Sequence, residues 1–413
     1  METVIRQWAL LLFFSMAGCT NFSALHKDMQ ESRSQLGRIA GEALSESCPD
    51  CPIVLVTLEK PDSAHVHTYR VYERAGAFSL FTRGVSRYLF AFNDLNNDFQ
   101  FQESEPHAWL RLPESFGAGA QIENLKLTLT TRAERPLPAF GNLFDLRGAD
   151  SGSIDVQLGT PAHLGDPRFD DDIAGIGLWQ PWRFMKEGYA GVYFLDKYDP
   201  GKTPVLFVHG INGSPRSFAM LAGSLDRSRF QPWVFYYPSG FELSAMGDGM
   251  FGLLSELHHR YGFNDLHIVA HSMGGLVSRG YLKTCAGTDT CRYLRSFISI
   301  SSPFGGHEAA RSGVDYAPAV IPVWRSMVPS SRFLRTLFAE PPPAGVAHHL
   351  LFGYRNNAVV GSGSSDGTVS LSSQLRPEAQ NQAASVRGFD EDHMSILDAV
   401  EVLGYINRLL EAR

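Results

Sequence analysis

The distribution of apolar and polar positions divides the 413-residue chain into two regimes. Between Cys51 and about residue 160, short apolar or alternating runs are punctuated by Gly, Asn, Asp and Pro. Ile53–Leu58 (IVLVTL) is nearly all apolar. Leu125–Thr130 alternates Leu with Lys or Thr, the period-two pattern of a half-buried strand. Val66–Tyr72 and Ser86–Phe92 read likewise. Short strands at this spacing predict a small β-sandwich over residues 51–160.

From Lys202 the pattern changes. Val205–Val208, Pro232–Tyr237, Leu266–Ala270 and Leu294–Ile300 are continuous apolar runs. Helix-compatible stretches lie between them, at Gly249–Tyr261 and Gly274–Lys283, and a last helix is expected from about Ile396 to Leu410. Buried strands alternating with helices predict a mostly parallel sheet covered on both faces, an α/β domain over 202–413. Residues 161–201, rich in Asp, Gly, Pro and Trp, read as a linker or domain seam, and 19–50 as a tether with some helix. No internal repeat is evident. A chain this long exceeds what one hydrophobic core usually serves, which agrees with two domains.

The first residues add a targeting signal. Arg6 precedes a short apolar run, Ala9–Ala17, too short to span a bilayer, and residues 1–18 read as a signal peptide. Met16-Ala17-Gly18-Cys19 resembles a bacterial lipobox. That resemblance implies cleavage before Cys19, lipidation of its thiol and export to the cell envelope. Thr20 in place of Asp implies outer-membrane anchoring. The alternative is a plain secretory signal with an incidental cysteine.

Composition narrows the function classes. Apolar residues make up 44% and charged residues 19%, the make-up of a folded protein, and the net charge is −7. No basic run gives a footprint for nucleic acid. With Cys19 set aside, Cys48, Cys51, Cys285 and Cys291 remain, an even count in an exported chain. Of three connectivities the local pairs are the simplest. A metal or redox role for the C-x-x-C at Cys48 is the alternative, but no second such motif accompanies it. Asp94, Asn96, Asp98, Gln100 and Glu105 follow a calcium-loop spacing. Phe99 stands where that loop needs Gly, so a polar turn is expected and no metal ligand is assigned. No cofactor motif is present.

The chemistry sits at Ala270-His271-Ser272-Met273-Gly274-Gly275, between an expected strand and an expected helix. That is the setting of a nucleophile elbow, with Ala270 in place of the usual first Gly. Residues 203–413 therefore resemble the α/β-hydrolase family, and within it bacterial lipases and esterases carrying A-H-S-M-G. The resemblance implies Ser272 as nucleophile and the N–H groups of Ile211, after His209-Gly210, and Met273 as oxyanion donors. The family order of nucleophile, acid, base then assigns Asp366, in Ser364-Ser365-Asp366-Gly367-Thr368-Val369, as the acid, and His393, the last histidine, as the base. Asp390 and Asp392 are weaker acid candidates, better suited to capping the following helix. His209 is read as structural. The segment 302–345, carrying Phe304, Tyr316, Trp324, Met327, Val328, Phe333, Leu334, Leu337 and Phe338, falls where similar enzymes insert a lid; the alternative is satellite helices packed on the core.

These assignments imply a serine hydrolase of carboxylic esters, acting on an ester or lipid through an acyl-enzyme and held at a membrane by Cys19. An acyltransferase, a phospholipase or a deacylase would use the same residues. A non-catalytic envelope binding protein is the rival from another class. The β-rich domain could bind a protein partner in any of these cases.

Overall fold

A computed structural model describes residues 20–33, 35–60, 66–117, 119–131, 156–288, 290–356 and 364–412. Residues 1–18, read above as a signal peptide, and Cys19 lie outside these residues.

The segment expected to be a tether is built into the fold. Residues 20–33 form a helix (α1), and strand β1, Leu36–Ser45, follows it. Leu25 is buried in the main hydrophobic core, and Asp28 accepts the N–H groups of Trp182 (2.8 Å) and Arg183 (2.9 Å). Phe22, Ala24, Leu25 and Met29, the apolar side chains of α1, were too few to mark a buried face in the sequence.

Six further strands complete the β-rich part: β2 Ile53–Leu58, β3 Val66–Tyr72, β4 Gly76–Arg83, β5 Tyr88–Asn93, β6 His107–Arg111 and β7 Gln121–Leu129. They form a three-stranded sheet, β4-β1-β7, and a four-stranded sheet, β3-β2-β5-β6. Ile39, Ala43, Phe78, Leu80, Leu127 and Leu129 of the first share a core with Ile53, Leu55, Leu89, Ala91 and Ala108 of the second. The sandwich-like pairing thus includes β1, upstream of the expected boundary at residue 51, and β1 runs parallel to β7. Cys48–Cys51 closes the turn between β1 and β2, and a second disulfide joins Cys285 to Cys291.

The second part is one eight-stranded sheet with spatial order β15-β14-β13-β12-β10-β11-β9-β8. Its strands and helices are, in chain order, β8 Gln157–Pro161, α2 Asp171–Trp179, α3 Pro181–Lys186, β9 Gly191–Phe194, β10 Thr203–Val208, α4 Ala219–Ser224, β11 Phe230–Tyr236, α5 Leu243–Tyr261, β12 Leu266–His271, α6 Met273–Thr288, β13 Leu294–Ile300, α7 Glu308–Tyr316, α8 Pro322–Met327, α9 Arg332–Thr336, β14 Ala347–Gly353, α10 Leu371–Gln374, α11 Pro377–Asn381, β15 Ser385–Phe389 and α12 Val400–Glu411. Strands β10 to β15 are mutually parallel along the sheet, whereas β9 pairs antiparallel with β11. Residues 161–201 are therefore not a seam. Their Gly, Pro and Asp residues turn the chain between short elements, and the fully buried β9 extends the sheet.

The two parts meet on the C-terminal turns of α5. Tyr69 Oη donates to Glu256 Oε1 at 2.7 Å, and Arg260, ion-paired with Glu256, donates to Tyr69 Oη at 2.8 Å. One turn away His259 Nε2 meets Asp94 Oδ2 at 3.1 Å. Removing one member of a buried ion pair strands the other. Glu256→Ala should lower unfolding stability by about 3 kcal/mol, the low end for a buried pair because Arg260 keeps 28% exposure, and Tyr69→Phe by about 1 kcal/mol. Urea unfolding of both variants checks the ranking.

The Asp94–Glu105 segment is a turn. Asp94 accepts the N–H groups of Asp98 and Phe99 besides meeting His259, and Glu105 accepts those of Leu95 and Gln102. Phe99 itself adopts the left-handed conformation, φ +60°. Among the described residues no group of three or more His, Cys, Asp or Glu side chains is arranged to hold a metal ion. None of their helices is long and apolar enough to cross a membrane.

Candidate functional site

Strand β12 is buried along its whole length and ends at His271, and α6 starts at Met273. The single residue between them, Ser272, has φ +54°, a left-handed conformation that costs a non-glycine residue energy and recurs at functional turns. Two glycines make room for the turn. A Cβ on Gly274 would lie 2.2 Å from the Val208 carbonyl oxygen, and one on Gly210 would lie 2.9 Å from Ser272 Cβ. The small Ala270 is fully buried in the position before the turn.

The structure brings Ser272, Asp366 and His393 together across 121 residues of sequence. His393 Nε2 lies 3.0 Å from Ser272 Oγ, and His393 Nδ1 lies 2.7 Å from Asp366 Oδ2. Asp366 follows β14, where its Oδ1 accepts the N–H groups of Val369 (2.7 Å) and Thr368 (3.0 Å). Its backbone carbonyl accepts the N–H of His393, tying acid and base loops together. Burial pushes the Asp366 carboxyl upward. The hydrogen bond and charge of His393, with the two amides, outweigh that push and hold it below its ordinary 3.8. The other carboxylates near His393 point elsewhere. Asp390 pairs with Arg355, and Asp392 caps the turn after the histidine by accepting the N–H groups of Met394 and Ser395.

Gly210 sets the Ile211 loop beside Ser272. Met273 is the first residue of α6, where an amide has no carbonyl partner within the helix. Among the described residues neither the Ile211 nor the Met273 N–H is engaged by a protein acceptor. Both are thus open to an oxygen placed over Ser272, at a helix N-terminus that favours negative charge.

His209 is held neutral. Burial pushes its imidazole down to about 4. Its ring stacks on Tyr237 at 4.3 Å, and Tyr237 Oη donates to the His209 carbonyl.

Two positioning groups had not been singled out from the sequence. His271, pushed down to about 3 by burial and by the neighbouring His393, donates from Nε2 to the His393 carbonyl at 2.8 Å. Ser239, 2% exposed, accepts the Asn212 N–H at 3.0 Å, and Asn212 is left-handed at φ +53°. That bond fixes the residue after Ile211. A serine in a Pro-Ser-Gly turn carries no sequence signal for such a role. Ser239→Ala should reduce kcat on esters by roughly tenfold with little change in KM, the pattern of an interaction that matters in the transition state. Steady-state kinetics reads this directly.

The segment 302–345 reaches both sides of Ser272. His307 Nε2 donates to the Thr368 carbonyl beside Asp366 (2.9 Å), and Val323 donates to the Gly240 carbonyl beside Ser239 (3.1 Å). Its apolar side chains mostly point down. Phe304, Met327, Leu334, Leu337 and Phe338 are buried in the main core, and Trp324 and Phe333 pack against it. Tyr316 is 85% exposed. The segment is a bridge of packed helices rather than an open apolar sheet of side chains.

Residues 248–376 match a family described as an alpha/beta hydrolase of unknown function (DUF915). No curated protein matches the sequence. Among solved structures, the mature form of the lipase BlEst2 from Bacillus licheniformis is 18% identical, with a TM-score of 0.45, covering 53% of this chain and 97% of its own. The product of lin2722 from Listeria innocua is 18% identical, with a TM-score of 0.41, covering 51% and 95%. Phospholipase PlaB from Legionella pneumophila in complex with thio-NAD is 15% identical, with a TM-score of 0.36, covering 42% and 44%. The strand order and the elbow, together with the family match, give the second part of the chain the α/β-hydrolase fold.

Proposed function

We propose that this α/β hydrolase cleaves carboxylic esters through an acyl-enzyme on Ser272. The reading rests above all on the hydrogen-bonded row Asp366–His393–Ser272, ending at a serine with two unengaged amides beside it.

The chemistry follows from those positions. Asp366 accepts His393 Nδ1–H, which leaves Nε2 as the lone-pair nitrogen facing Ser272 Oγ. As Oγ attacks the acyl carbon, Nε2 takes its proton and the carbonyl π pair moves onto oxygen. The Ile211 and Met273 amides receive that oxyanion; where one such donor has been removed in related chemistry, the cost is roughly 3–4 kcal/mol. The tetrahedral intermediate collapses, the C–O bond to the alcohol breaks, and His393 protonates the leaving oxygen. Water then repeats the sequence on the acyl-enzyme. His209 and His271, held neutral, add no competing positive charge at neutral pH.

Export and attachment to the outer membrane through a lipidated Cys19 belong to the same proposal. An acyl-lipid substrate, phospholipids included, would suit that location.

Turnover of short- and long-chain p-nitrophenyl esters, measured beside fluorophosphonate labelling of Ser272, tests the reading. Serine-dependent turnover supports a hydrolase. Labelling without turnover favours an acyltransferase, in which an alcohol rather than water intercepts the acyl-enzyme. Neither labelling nor turnover would leave a binding protein.

A further inference from the structure

The docking of α1 bears on where the active site sits. Cys19 precedes Phe22 by three residues, so their Cα atoms lie no more than about 11 Å apart whatever the intervening conformation. The Phe22 ring packs edge-on against Trp179 at 5.2 Å, and Trp179 packs edge-on against Trp324 of α8 at 6.4 Å. A Cβ on Gly313 of α7 would lie 2.6 Å from the Trp324 ring, and Tyr316, one turn further on, is 85% exposed. The end of α1 nearest Cys19 therefore abuts the helices that bridge the two sides of Ser272.

The attachment is firm. Leu25 is buried in the main core, Asp28 caps the N-terminus of α3 through two backbone amides, and Glu31 pairs with Lys186. A chain held by a long flexible tether could sweep away from its membrane. This one has no such length between residue 20 and the domain.

We propose that the face carrying Phe22, Trp179, Trp324 and Tyr316 sits in the headgroup layer of the membrane that holds Cys19, so that Ser272 receives acyl lipid from that same leaflet. This rests on the ester-hydrolase reading and on lipidation of Cys19. The headgroup layer is roughly 6 Å deep on each side of the hydrocarbon core, so Phe22, Trp179 and Trp324, strung out from Cys19 in steps of at most about 11 Å, 5.2 Å and 6.4 Å, share that layer when the face lies parallel to the membrane plane. Trp and Tyr are the side chains that favour this layer, because their rings are apolar and their N–H or O–H stays hydrated. The lipid that anchors the enzyme thereby also orients it.

The test uses the full-length lipidated protein, its Cys19 modification verified by mass spectrometry, reconstituted into phosphatidylethanolamine–phosphatidylglycerol vesicles. Phospholipids brominated on the upper acyl carbons should quench Trp324, seen as a quenched component present in wild type and lost in Trp324→Phe. A fluorogenic phospholipid placed in the same vesicles should be cleaved at least about tenfold faster than in separate vesicles at equal total lipid, because attachment raises its effective concentration. Cys19 without lipid, no quenching of Trp324, or equal rates in the two arrangements with short-ester turnover intact would each overturn the proposal. Quenching of Trp324 with no cleavage of any ester would support the membrane seat while overturning the hydrolase reading, so the two failures are distinguishable.

Discussion

Ser272→Ala should lower kcat on p-nitrophenyl esters by roughly 10⁵-fold or more and abolish fluorophosphonate labelling, with the unfolding midpoint unchanged. The size follows from the arrangement. The alanine variant keeps the two amides and the bound substrate but has no atom that can form the acyl-enzyme, so what remains is water attack assisted by the oxyanion site. The unchanged midpoint follows as well. Ser272 is held at φ +54° by Gly210 and Gly274 packing around it and by its own N–H donating to Ile300, and alanine keeps that backbone bond and a similar Cβ. The same hydrogen-bonded row predicts strong non-additivity. His393→Ala should cost a comparable factor, and the double variant little more than either single one, because the base has no task once the nucleophile is gone. Independent, multiplying losses would mean that His393 acts on something other than Ser272.

The parallel sheet was legible because its central strands are buried on both faces and so read as predominantly apolar runs. Thr203–Val208, Leu266–His271 and Leu294–Ile300 all form strands where the pattern put them. The edges were not legible. Strand β15, Ser385–Phe389, carries Arg387 and Gly388 and has only Phe389 buried, so its pairing with β14 leaves no apolar signature. Strands β8 and β9 are five and four residues long and sit among turn residues, which made a sheet edge read as a seam. β1 was hidden for a related reason. Leu36–Ser45 alternates buried with half-buried or exposed positions but at its buried ones uses, besides Ile39, Gly, Ala and Ser, whose small side chains permit close parallel approach to β7 and give little hydrophobic contrast. The site divides the same way. Ser272, Asp366 and His393 are expected from the order that the resemblance implies and from loop context, and the structure sets them within hydrogen-bonding reach of one another. Ser239 and His271 act through a backbone amide and a backbone carbonyl, partners that leave no trace in residue type. The apolar residues of 302–345 pointed to a lid, yet most of them serve the core beneath it, and periodicity alone cannot tell which way a short helix faces.

Asp366→Asn should reduce kcat by roughly 10⁴-fold while leaving KM within a few-fold of wild type. Isosteric replacement usually leaves an amide free to choose its orientation; here the surroundings choose. Oδ1 of residue 366 faces the N–H groups of Val369 and Thr368, which demand an acceptor. The asparagine must therefore turn its carbonyl oxygen to those amides and its NH₂ to His393 Nδ1. Two donors cannot face each other, so the imidazole must carry its proton on Nε2, the nitrogen 3.0 Å from Ser272 Oγ. A protonated Nε2 donates to the serine instead of accepting from it, and the general base is lost with the geometry intact. The pH behaviour of the wild type constrains the same group. Because its folded value is depressed, the contribution of Asp366 to stability and tautomer control is fully present above its ordinary 3.8 and is lost only as pH falls through the lowered value. Loss of activity on acidification between neutrality and pH 3.8 should accordingly not report Asp366. Single-turnover acylation of the asparagine variant, followed across pH, checks both statements. Retention of more than about a tenth of wild-type acylation would mean that some other group sets the tautomer of His393.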